Sequence, residues 1–115
     1  MFSVDVRQIG QAWVLGLRGE LDFHSAVQLR EAVDTLLGEQ QPLLMVIDCA
    51  ALEYCDSTGI TGLIKVHQRL SASAGVLRLA AVPGSVARVF ALTGLAELIA
   101  VHDTAQEALL ADAGE

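Results

Sequence analysis

Phe2, Val4 and Val6 alternate with Ser3, Asp5 and Arg7, the two-residue period of a strand with one buried face. Gly10 offers a turn, and Trp13, Leu15 and Leu17 then alternate with Val14, Gly16 and Arg18. Two such runs around a short glycine-containing link predict an antiparallel hairpin. Gly19-Glu20-Leu21-Asp22 follows as a short loop. The period then changes to three and four at Ala26, Leu29, Val33 and Leu36, which predicts a helix. Ser25 and Gln28 have capping-box spacing at its start, and Gly38 stands where it would end. After Pro42 comes Leu43-Leu44-Met45-Val46-Ile47, apolar without alternation, as in a central strand covered on both faces. Asp48 ends that strand, and the stretch to Tyr54 reads as a connecting loop.

A second helix is expected from about Ser57 to Ala74, carrying Ile60, Leu63, Ile64, Val66 and Leu70, with Gly75 as its terminator. Val76 to Val82 reads as another strand. Pro83 suits the first turn of a helix, where its missing N–H costs nothing. Val86, Val89 and Phe90 form the apolar face of that helix, and Gly94 followed by Leu95 has the form of a glycine C-cap. Leu98 to Val101 is a last short strand, and Asp103-Thr104-Ala105-Gln106 opens a final helix ending near Ala111. The order β-β-α-β-α-β-α-β-α predicts an α/β fold with a mostly parallel sheet of about five strands flanked by about four helices. One domain over residues 1–115 is expected, with Asp112 to Glu115 fraying.

Composition narrows the function classes. Hydrophobic residues make up 53% of the chain but aromatics only 4%, so Val, Leu, Ile and Ala must build the core. No apolar run approaches the ~18 residues of a membrane span. Met1-Phe2-Ser3-Val4-Asp5 lacks the basic segment and long apolar run of a signal peptide, so a cytoplasmic protein without membrane contact is expected. Seven Lys and Arg face 14 Asp and Glu, which argues against nucleic-acid binding because phosphate neutralisation needs clustered cations. Cys49 and Cys55 match neither a redox nor a zinc spacing, and Cys49 reads as a buried small hydrophobe. His24, His67 and His102 are far apart, so no metal site and no cofactor are expected.

Candidate chemistry concentrates at Asp56-Ser57-Thr58-Gly59, at the start of the helix after the central strand. The C-terminal edge of such strands is where α/β proteins usually place their sites. Asp56 or Ser57 can act as an N-cap, accepting a hydrogen bond from a free backbone N–H. Gly59 and Gly62 each cost ~1 kcal/mol relative to alanine in a helix, so something must approach that turn closely. Catalysis by Ser57 is not expected. Cys55 stands where a Gly-x-Ser-x-Gly elbow needs its first glycine, and no histidine is evidently placed as a base. A phosphate on Ser57, by contrast, would meet exposed N–H groups and the positive end of the helix dipole. Thr58, Thr61, Lys65 and Gln68 recur at helical spacing as a solvated face, with Thr58 and Thr61 close enough to Ser57 to join a docking surface.

Taken in order, Gly19-Glu20-Leu21-Asp22, Val46-Ile47-Asp48, Asp56-Ser57-Thr58-Gly59 and Leu92-Thr93-Gly94-Leu95 resemble a STAS domain, and among these the bacterial anti-sigma factor antagonists. The resemblance covers essentially the whole chain. It implies a mixed sheet flanked by helices and a non-enzymatic, partner-switching role in transcription regulation. The unphosphorylated protein would bind an anti-sigma factor serine kinase and free the sigma factor. Phosphorylation at the position matching Ser57 would switch binding off, and a serine phosphatase would restore it. Asp22 resembles a family residue beside the phosphorylation site, and Thr58 and Gly59 match the rest of the helix-start motif. With Asp56 and Thr61 they make up the expected partner-binding set. Gly59-Ile60-Thr61 departs from the Gly-Leu-Gly of many members, which bears on which kinase docks. The alternative is a STAS scaffold or soluble subunit of a larger regulatory or transport assembly.

Overall fold

The computed structural model describes residues 1–39 and 42–111, so the expected fraying of Asp112 to Glu115 lies outside it. The chain runs β1 (Ser3–Ile9), β2 (Ala12–Leu21), α1 (Ala26–Glu39), β3 (Leu44–Cys55), α2 (Ser57–Ala72), β4 (Val76–Ala80), α3 (Gly84–Leu92), α4 (Leu95–Leu98), β5 (Val101–His102) and α5 (Ala105–Leu110). The strands form one sheet in the order β1-β2-β3-β4-β5. β1 pairs antiparallel with β2 through the expected hairpin, and the other pairings are parallel. The mixed, mostly parallel α/β sheet expected from the element order is the one observed.

Helices α1 to α4 cover one face of this sheet. Leu29 and Val33 of α1, Leu63 of α2 and Phe90 of α3 pack there with Leu15, Met45, Ile47 and Leu79. The short α5 covers part of the other face, where Ala108 meets Val14, Val46 and Ala80. Adjacent residues such as Val14 and Leu15 are therefore both fully buried, though Val14 was expected on the outer face. Each such aliphatic side chain contributes about 1.5–3 kcal/mol when removed from water.

Two strands are longer than the periodicity implied. β2 continues through Gly19 to Leu21, and β3 continues through Asp48 to Cys55, where loops were expected. The cause is a ladder that carries on past irregularities: its register shifts between Gly16 and Arg18 and again between Gly19 and Glu20. Such bulges break side-chain alternation, so the period-two signature disappears while pairing persists. Gly19 sits in one of them at φ +94°, and a Cβ there would lie 1.9 Å from the Met1 carbonyl oxygen.

Several boundaries also moved. α1 runs through Gly38 to Glu39 instead of stopping at the glycine. α2 ends at Ala72, and the left-handed residue after it is Ala74 (φ 62°), while the Gly75 N–H donates to the Leu70 carbonyl at 2.7 Å. Pro83 is the N-cap of α3 rather than a residue of its first turn. Leu95–Leu98 forms the short helix α4, so Leu98 is helical rather than the first residue of the last strand, which falls at Val101–His102. The Ser25–Gln28 capping box is not made: the Ser25 hydroxyl accepts from the Asp22 N–H, the Ser25 N–H donates to the Asp22 carboxylate, and the Gln28 N–H donates to the Ser25 carbonyl.

Candidate functional site

The last paired residues of β2 and β3 are Leu21 and Cys55, side by side in the parallel ladder. The chain leaves the sheet at Asp22 and Asp56, so two carboxylates far apart in sequence emerge from neighbouring strand ends. A parallel β2–β3 pair also puts the starts of α1 and α2 at this same edge.

Asp22 closes a tight turn before α1. Its Oδ1 accepts from the backbone N–H groups of His24 and Ser25, each at 3.0 Å. The Ser25 hydroxyl accepts from the Asp22 N–H at 2.8 Å, which locks the turn from the other side. The Ser25 N–H, aided by the Ser25 hydroxyl and the His24 N–H, outweighs partial desolvation and holds the Asp22 carboxyl below the usual aspartate range. Asp22 is thus an ionised, oriented carboxylate at neutral pH.

Asp56 performs the equivalent task for α2. With φ −100° and ψ −174° it stands outside the helix, and its Oδ1 accepts from the Gly59 N–H at 2.9 Å. Its own N–H donates to the Leu21 carbonyl at 3.1 Å, tying the helix start to β2. The cap is therefore Asp56 and not Ser57. Gly59 is buried, and a Cβ there would fall 2.6 Å from the Leu21 carbonyl oxygen and 2.8 Å from the Cys55 Sγ. The segment that crowds this glycine is the chain's own strand end.

Ser57 is the first residue of α2 and is exposed, and its hydroxyl makes no hydrogen bond among the described residues. Its carbonyl accepts from the Thr61 hydroxyl at 3.0 Å, one turn on. Thr58, Thr61 and Lys65 are exposed along the same helix face. The structure thus brings Asp22, Asp56, Ser57, Thr58 and Thr61 to one edge of the sheet, with Gly59 beneath the surface they form.

Cys49 and Cys55 are buried free thiols. Burial, with smaller contributions from the neighbouring Asp48 and Asp56 carboxylates, pushes both up to about 12, so they stay protonated and unreactive. Two aromatic residues are exposed near these strand ends, Phe23 at 63% directly after Asp22 and Tyr54 at 51% two residues before Asp56. A lone aromatic in a polar stretch carries no periodic signal, and only the pairing of the strand ends shows that the two flank the same edge. No helix among the described residues is long and apolar enough to cross a membrane.

Comparison with known proteins agrees with this architecture. The STAS domain family model matches residues 3–108. The anti-sigma-B factor antagonist of Bacillus subtilis is 29% identical over 97 residues, covering 84% of this chain and 87% of that protein. The crystal structure of an anti-sigma factor antagonist from Mycobacterium paratuberculosis superposes with a TM-score of 0.86 at 26% identity, covering 95% of this chain and 92% of that one. The anti-sigma factor antagonist SpoIIAA in its unphosphorylated form gives 0.81 at 25% identity, with 93% of each chain covered. With a family model matching residues 3–108 and antagonists matching most of the chain, the chain belongs to the STAS domain family and groups there with the bacterial anti-sigma factor antagonists.

Proposed function

We propose that this chain is a phosphorylation-controlled anti-sigma factor antagonist in which Ser57 is the switch. In the bare state the edge formed by Asp22, Asp56, Ser57, Thr58 and Thr61 docks on an anti-sigma factor serine kinase, which then releases its sigma factor. The observation that carries the reading is the division between Asp56 and Ser57: the fold uses the carboxylate as its cap and leaves the serine hydroxyl exposed and unbonded.

Phosphate is compatible with that position. The Asp56 carboxylate occupies only the Gly59 N–H, so the Ser57 and Thr58 N–H groups remain to meet added negative charge at the positive end of the helix dipole. The fold therefore survives modification. A partner surface fitted to a neutral hydroxyl would instead face about −1.5 to −2 additional charges beside two existing carboxylates. Affinity falls through repulsion and bulk, and a serine phosphatase resets the surface.

The test uses the anti-sigma serine kinases encoded in the same genome, purified and mixed with the protein and ATP. One phosphate on Ser57, located by mass spectrometry, is the expected result. Ser57→Ala keeps kinase binding and cannot be switched off, whereas Ser57→Asp loses at least about tenfold in affinity by calorimetric titration. Phosphate found elsewhere, or equal affinity for both variants, overturns the reading.

A further inference from the structure

An open groove of about 340 Å³ lies between α1 and α2 and begins at the Ser57 end of the molecule. Val27, Arg30 and Val33 line it from α1, and Thr58, Gly62 and Lys65 from α2, each set at the three- and four-residue spacing of one helix face. Phe23, 63% exposed, stands at its mouth. An ion pair between Arg69 and Asp34 joins the two helices at the other end. From Thr58 to Arg69 the α2 wall is about 16 Å long, the length of three helical turns.

Gly62 makes this groove more than a gap between helices. Both glycines of the first turns of α2 weaken the helix relative to alanine. The fold accounts for Gly59, which the Leu21 carbonyl crowds, but not for Gly62. A Cβ on Gly62 would meet nothing nearer than the Leu29 Cδ2 at 4.0 Å. The space that this missing side chain leaves open is the groove floor itself.

Charge indicates what fills it. Three of the chain's seven cations, Arg30, Lys65 and Arg69, border the groove on a molecule of net charge −7. Arg69 is engaged by Asp34, while Arg30 and Lys65 make no ion pair among the described residues. An apolar floor between two available cations suits a guest with apolar side chains on one face and carboxylates on its flanks.

We infer that the α1–α2 groove is a second docking element, which seats an acidic amphipathic helix of the anti-sigma partner over Gly62 while the Ser57 edge makes the phosphate-sensitive contact. This rests on the proposed function for the partner's identity, but the groove has its own test.

The full-length chain is titrated with a helical peptide of about four turns carrying leucines on one face and glutamates on both flanks. A copy with every glutamate changed to lysine, and dodecanoate as a small amphiphile, serve as comparisons. The acidic peptide is expected to bind with amide shifts confined to the facing sides of α1 and α2, at least about tenfold more tightly than the lysine copy. Gly62→Leu should abolish that binding with the circular dichroism spectrum unchanged and thermal stability retained. The surface variant Arg30→Glu/Lys65→Glu should reverse the preference between the peptides.

Equal binding of the two peptides, undiminished binding to Gly62→Leu, or shifts outside the groove would overturn the inference. So would saturation by dodecanoate with no peptide binding, or light scattering that shows a second copy of the chain occupying the groove. None of these readouts involves phosphate on Ser57, so failure here is distinct from failure of the switch.

Discussion

At the start of α2 the Asp56 carboxylate holds the Gly59 N–H at 2.9 Å, while one residue later the Ser57 hydroxyl faces solvent. Both residue types favour the N-cap, so an Asp-Ser pair in sequence leaves their roles open. The backbone decides: Asp56 has extended angles and Ser57 is already helical. Asp56→Ala should therefore lower stability by about 1 kcal/mol, and Ser57→Ala by no more than about 0.5 kcal/mol. Urea midpoints of the two variants check this, and the reverse order would make Ser57 the cap. Asp22 is oriented by a similar local device, since the Ser25 and His24 N–H groups hold its carboxylate.

Among the elements, the seat of α2 against the end of β2 does most to present Ser57. Gly59 touches the Leu21 carbonyl, and that oxygen also accepts from the Asp56 N–H. Alanine at this position gains ~1 kcal/mol of helix propensity but puts a methyl group 2.6 Å from a backbone oxygen that the sheet holds in place. Overpacking of this kind costs about 1–3 kcal/mol, so Gly59→Ala is expected to be net destabilising. Gly62→Ala, with no contact below 4.0 Å, should instead gain up to about 1 kcal/mol. Thermal melts of the pair should move in opposite directions; a rise for both would show that β2 yields to the added methyl.

For the molecule as a whole, α5 decides whether the sheet has one covered face or two. Its anchor is Arg78 on β4, only 4% exposed, which donates to the carbonyls of Ala108 and Ala111 at 2.7 and 3.1 Å. These carbonyls lie at the end of α5, where the helix itself supplies no donor. Arg78→Met should cost about 2 kcal/mol and loosen α5 over Val14, Val46 and Ala80. Hydrogen exchange is the direct measurement: protection should fall across Ala105–Leu110 and persist in α2. Unchanged protection in α5 would mean that apolar contact alone holds it.

Much of this was legible in the chain because it is local. Alternation in β1 and early β2, helical spacing in α1 and α2, the unbroken apolar run of β3 and the Gly94 cap all depend on residues within a few positions of one another. The order of elements was enough for the α/β class, and the ordered motifs were enough for the STAS resemblance. The distal parts of β2 and β3 were not legible, because bulges and pairing with another strand sustain them without alternation. The burial of Val14 was hidden for a related reason, since the helix that covers it lies more than ninety residues later. At the site, the sequence by itself determined that Asp56-Ser57-Thr58-Gly59 opens a helix and that Asp22 ends an earlier segment. Only the tertiary structure decided that the two meet at adjacent strand ends, that Asp56 is the cap, and that Gly59 is crowded while Gly62 is open. Those answers depend on contacts between segments, and spacing along one segment does not encode which other segment lies against it.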